Sequence, residues 1–280
     1  MKTKKITAIL LCVVIILSAF GVNAFAAKKK FYLVLGDSIG YGSGLRNSEE
    51  ACYGKIVADT NGYDYANDAI PGHTTQNLLA RLENASVKEH VKKADIISIS
   101  IGGNNFLLGN MAALLFEILV KGDDSRAKET VEDFYKDFDA IVKKIRSLNP
   151  DAVILMQTLY NPQTDYVGDA YQVAIDILNK AIVRYSKENK GEIVIVDVAA
   201  KLKDSANDFA EDGIHPSAQG NEKIAVAVLK KLAELGLGKK TTPVINEKGV
   251  DISVPSVFTY PLTLYGRALH LLAQVYGLFA

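Results

Sequence analysis

The chain has 280 residues, 49% of them apolar and 23% charged, a balance that excludes a disordered or collagen-like protein. Its 32 basic and 32 acidic residues cancel. That removes the electrostatic case for nucleic acid as a partner, since phosphate binding calls for a clear basic excess.

Residues 1–26 carry Lys2, Lys4 and Lys5, then the apolar run ILLCVVIILSAFGV, then Ala24-Phe25-Ala26. Positive start, apolar stretch and small-x-small end are the order of a secretory signal peptide. The run is shorter than the ~20 residues that span a bilayer; an uncleaved N-terminal anchor is the competing reading. Cleavage after Ala26 leaves 254 residues with 29 basic against 32 acidic side chains, an exported and mildly acidic chain. It also removes Cys12 and leaves Cys52 alone. The exported domain therefore has no internal disulfide and must rely on its core, which a chain of this size can supply.

The mature part alternates strand and helix patterns. Phe31 to Leu35 is a short, almost wholly apolar run ending at Gly36, as expected of a strand buried on both faces. Asp95–Ile101, Ala152–Leu159 and Glu192–Val198 read the same way, and a weaker strand lies at Tyr63–Ala66. Helices are predicted over Arg126–Leu148, Asp169–Lys187 and Ser217–Leu235. In the first, Val131, Phe134, Phe138, Ile141, Val142 and Ile145 form one stripe, and Asn149-Pro150 stops it. This alternation predicts a three-layer α/β/α domain over residues 30–236 with a mostly parallel central sheet. In such sheets chemistry collects at the carboxyl ends of the strands.

Three segments stand at such ends. Gly36-Asp37-Ser38-Ile39-Gly40 follows the first strand, and Ser38 there is either an exposed nucleophile or a helix-capping serine. The letters fit G-x-S-x-G, but that elbow usually follows several strands rather than the first. A dinucleotide loop fails, because Leu45 stands where Gly40-Tyr41-Gly42 requires a third glycine. Ile70-Pro71-Gly72-His73 is a turn in which Gly72 lets backbone approach a ligand closely and His73 could lie near a site; a plain β-turn is the alternative. Gly102-Gly103-Asn104-Asn105 offers an asparagine amide as a donor, or simply a cap. Among the other histidines, His90 sits in a charged stretch and reads as a solvated surface residue, and His270 belongs to the tail. His215 differs. In Asp212-Gly213-Ile214-His215-Pro216-Ser217 a three-residue step can bring the Asp212 carboxylate to the imidazole, fixing its tautomer for base catalysis, or the segment is a hydrogen-bonded cap.

Taken together and in this order, the four segments resemble the blocks of the GDSL or SGNH family of serine esterases and lipases. They spread over residues 36 to 216, most of the predicted domain. The resemblance implies a flavodoxin-like SGNH hydrolase fold and a Ser38–His215–Asp212 triad working through an acyl-enzyme. It also implies an oxyanion hole from Ser38, Gly72 and Asn104, with no metal or cofactor. Two positions depart from the family pattern: Ile39 replaces a leucine without chemical role, and Asn105 replaces an aspartate, which touches the local geometry near Asn104.

Substrate choice must come from the surroundings. Residues 106–120 (FLLGNMAALLFEILV) are either a buried helix or an acyl-chain groove or lid. With no tryptophan platform for sugar, the sequence favours a small-molecule or lipid ester over a carbohydrate O-deacetylase of the same fold. The filled catalytic positions argue against a silent surface-binding module. Residues 237–280 form an apolar extension whose Leu262–Phe279 stretch packs on the domain or a partner subunit, or touches a membrane surface.

Overall fold

The computed structural model describes residues 28–245 apart from 110, 163–165 and 204–206. The expected signal peptide, with Cys12, and the 246–280 part of the apolar extension, with His270, lie outside the described residues.

Five strands are present: β1 (Phe31–Gly36), β2 (Asp64–Asn67), β3 (Ile96–Ser100), β4 (Val153–Gln157) and β5 (Val194–Val196). They pair in parallel in the order β2-β1-β3-β4-β5. The helices, in chain order, are α1 (Ser38–Tyr41), α2 (Ser48–Ala51), α3 (Tyr53–Asn61), α4 (Thr75–Arg81) and α5 (Ala85–Lys93). They continue as α6 (Gly103–Leu107), α7 (Met111–Phe116), α8 (Ser125–Leu148), α9 (Tyr166–Glu188) and α10 (Ala218–Glu234). A π-helical turn, Glu117–Lys121, joins α7 to the segment before α8. Among these helices none is long and apolar enough to cross a membrane.

The period of two along each strand builds the layers. Leu33, Leu35, Ile97, Ile99, Ile154 and Met156 face one side and pack under α4, α5, α8 and α9. Tyr32, Val34, Ile96, Leu155 and Val196 face the other, under α3 and α10. All six stripe residues predicted for α8 are buried. Its stop is built from the Asn149 side chain, which donates to the Val91 and Ala94 carbonyls at 2.8 Å each and accepts from the Ala152 N–H. The same side chain thus ends the helix and ties the entry of β4 to the loop before β3.

Segment 106–120 is not one buried helix. Gly109 and Gly122 bracket a short helix and a π-turn, so Met111, Leu114 and Leu115 reach the core while Leu108 is 61% exposed. The π-turn is pinned to α8 by a two-pronged ion pair, Arg126 Nε and Nη2 to the Glu117 carboxylate at 2.8 and 2.9 Å.

From β1 the chain crosses to β2 on one side and then to β3 on the other. The crevice of a doubly wound sheet opens at that reversal, beyond the carboxyl ends of β1 and β3.

Candidate active site

Both strand ends at the reversal carry the polar residues that the sequence singled out. Gly36 closes β1 with φ +127°, and a Cβ built there would lie 1.9 Å from the Ser100 carbonyl oxygen of β3. Only glycine lets the two backbones meet this closely. The next residue, Asp37, donates its N–H to that same Ser100 oxygen (3.0 Å). Its carboxylate caps α1 by accepting from the Ile39 N–H (3.0 Å) and also accepts from the Ser100 hydroxyl (3.1 Å). Burial pushes the Asp37 carboxyl up to about 6, against the pull of its bonds to Ile39 and Ser100 and of the His215 charge. In the sequence Asp37 is only a letter of the Gly36–Gly40 motif, since its burial and its partner 63 residues away leave no local pattern. Ser38 stands on this clamped corner as the first residue of α1.

The other side of the crevice is the DxxH turn. The Asp212 side chain is 1% exposed, and its Oδ2 lies 2.6 Å from His215 Nδ1. Its Oδ1 accepts from the Ile214 and His215 N–H groups, both at 2.9 Å. Burial alone raises the Asp212 carboxyl; the bonds from the imidazole and the two N–H groups outweigh it and hold the acid below its ordinary value. The carboxylate is therefore kept ionised, aimed at Nδ1, leaving Nε2 as the imidazole's other polar atom. Tyr160, which the sequence did not mark, supports this turn from β4's end by donating to the Ile214 carbonyl (2.9 Å) and packing on Phe209.

Gly72 is the third corner residue of a turn closed by His73 N–H to Ile70 C=O (3.2 Å), with Pro71 before it and φ +81° at the glycine. Asn104, 8% exposed near the start of α6, donates through Nδ2 to the His73 carbonyl (2.9 Å). His73 thus enters through its backbone. Its imidazole is lowered by burial and, second, by Arg81. His90, its side chain 34% exposed, lies at the surface but is partnered there: its Nδ1 lies 2.7 Å from Asp68 Oδ2 and its ring packs by Phe31.

Ser38, Gly72, Asn104, Asp212 and His215 all line one cavity of about 760 Å³. Its remaining wall is largely apolar and includes Phe106, Leu107, Met111 and Leu115 from the 106–120 segment and Tyr171 and Ile175 from α9.

A family model described as GDSL-like lipase/acylhydrolase matches residues 34–223, which contain every one of these corners. The chain belongs to the GDSL-like lipase/acylhydrolase family. It is 27% identical over 232 residues to the uncharacterized protein YpmR of Bacillus subtilis, covering 78% of this chain and 88% of that one. It is 27% identical over 224 residues to the spore germination lipase LipC of Bacillus licheniformis, covering 74% and 97%. Among solved structures, the lipase Lip_vut3 from a goat rumen metagenome superposes with a TM-score of 0.61 at 24% identity, covering 75% of this chain and 99% of that one. That likeness supports the shared fold of this GDSL-like chain.

Proposed function

We propose that the protein is an exported serine esterase of the lipase/acylhydrolase type, acting on carboxylic esters with an apolar acyl chain. The observation that carries the reading is the convergence of four sequence blocks, spread over residues 36–216, on a single cavity whose other wall is apolar. The spore germination lipase among its relatives supports the same chemistry.

In this mechanism Ser38 Oγ attacks the ester carbonyl carbon while His215 Nε2 takes the hydroxyl proton. Asp212 holds Nδ1–H and stabilises the imidazolium. The developing oxyanion accepts from the Ser38 and Gly72 N–H groups and from Asn104, whose Nδ2 carries a second hydrogen beyond the one given to His73. Collapse of the intermediate sends the His215 proton to the leaving alcohol. Water, activated by the same imidazole, then frees Ser38 and releases the acid. The Phe106–Leu115 and α9 walls hold the acyl chain, and each CH₂ removed from water there contributes about 0.8 kcal/mol of binding.

Hydrolysis of p-nitrophenyl esters from acetyl to palmitoyl tests this. The native protein is expected to prefer acyl chains longer than acetyl, and Ser38→Ala to lose hydrolysis throughout the series. A preference for acetyl alone would contradict the acyl wall, and equal activity in Ser38→Ala would remove Ser38 from the mechanism.

A further inference from the structure

The two outer oxyanion donors sit on separate elements: Gly72 on the loop before α4, Asn104 on α6. Their spacing is therefore a tertiary property, set by whatever ties that loop to that helix. One tie is Asn104 itself, through the His73 carbonyl. The second runs through its neighbour. Asn105 Oδ1 accepts from the Thr75 N–H (3.2 Å), and Asn105 Nδ2 donates to the Thr75 hydroxyl (2.8 Å). Thr75 is fully buried, and its hydroxyl donates its one hydrogen bond to Asp137 Oδ2 on α8 (2.9 Å).

We propose that Asn105 is a positioning residue that, through Thr75 and Asp137, fixes the spacing of the Gly72 and Asn104 donors. The chain of bonds also dictates why an amide stands here. The Thr75 hydroxyl has one hydrogen to donate, and the Asp137 carboxylate accepts it. The hydroxyl oxygen must then receive a hydrogen from position 105, which an amide supplies and a carboxylate cannot. An aspartate at 105 would keep the bond from the Thr75 N–H, but it would set two carboxylates around a single hydroxyl, leaving its second oxygen without a donor against the buried hydroxyl oxygen. Exchanging the charges reverses the direction of the chain without breaking it: the hydroxyl donates to an aspartate at 105 and accepts from an asparagine at 137.

The proposal rests on the esterase reading above, and the experiment separates the two. The native protein, S38A, N105D and the N105D/D137N double variant are compared on one p-nitrophenyl ester for kcat and KM, with melting temperatures alongside. Activity in the native protein and none in S38A marks the esterase reading as sound; an inactive native protein or an active S38A is the failure of that reading alone. Given a sound reading, N105D is expected to lose about 10- to 100-fold in kcat with KM within about twofold, since sub-ångström displacement of a preset donor acts on the transition state. The double variant is expected to fold and to return kcat to within about threefold of native, whatever N105D does alone. Native kcat in N105D overturns the proposal. So does a double variant that fails to fold or that stays as slow as N105D.

Discussion

Replacing Gly36 by alanine tests how rigidly the corner under Ser38 is set. The added methyl would arrive 1.9 Å from the Ser100 oxygen and 2.9 Å from its carbonyl carbon, atoms of the central strand β3. Relief needs β1 and β3 to part by over 1 Å where paired strands sit about 4.8 Å apart. That displacement also stretches the Asp37 N–H to Ser100 bond and the hydroxyl contact beside it. A left-handed alanine costs about 1 kcal/mol or more, and an overlap on a wall that cannot yield adds about 1–3 kcal/mol. Together the loss is about 2–4 kcal/mol, a large part of the 5–15 kcal/mol typical of a domain. Gly72→Ala is the matched control: φ is +81° there too, but nothing lies within 4 Å of the added Cβ, so only the backbone term remains, about 1 kcal/mol. Urea unfolding of both variants reads the difference. Equal losses in the two, or a loss under about 1 kcal/mol in Gly36→Ala, would refute the steric argument.

Three further outcomes follow from the site. Asp37 binds its proton more tightly folded than unfolded, so the stability it contributes is complete below 3.8 and lost as pH rises through about 6. Asp37→Asn should therefore gain on the native protein by up to about 3 kcal/mol between pH 4 and 6 and stay level above; a pH-independent difference in urea unfolding contradicts this. Asp212→Asn keeps an oxygen for the Ile214 and His215 N–H groups but presents an NH₂ to His215 Nδ1. It should lose about 10,000-fold in kcat at nearly native melting temperature, and a loss under tenfold would remove Asp212 from its role. Ala112→Phe places a ring in the apolar wall of the cavity. Decanoyl ester hydrolysis should fall at least about tenfold while acetyl ester hydrolysis stays within about twofold, because only the longer chain needs that volume; a parallel fall in both would contradict the acyl wall.

What could be read from the sequence depended on whether the cause was local. β1 and β3 announced themselves because both faces are buried, which makes a strand a largely apolar run, broken in β3 only by the buried Ser98 and Ser100. β2, exposed at both of its ends, gave only a weak signal; β5, read from the sequence as Glu192–Val198, is only Val194–Val196, at a sheet edge. The α8 stripe and its Asn149-Pro150 stop were plain because a long amphipathic helix repeats its pattern many times. Segment 106–120 was ambiguous for the opposite reason: mostly apolar, it serves core and cavity together, so its hydropathy does not mark where one helix stops and the next begins. The candidate site was legible as four short blocks. Its supports were not. Asp37 to Ser100, Tyr160 to Ile214, and Asn105 through Thr75 to Asp137 are contacts between distant residues, made only once the sheet is assembled.

Ser38 is the group that becomes acylated in the proposed mechanism. Incubation with an alkyl phosphonate p-nitrophenyl ester, followed by peptide mass mapping, measures this directly, because the phosphonate forms a stable adduct with the activated hydroxyl in place of the labile acyl-enzyme. One equivalent on Ser38, abolished in Ser38→Ala and sharply slowed in His215→Ala, is the predicted result. An adduct on any other residue, or an esterase-active protein that leaves Ser38 unmodified, would contradict it.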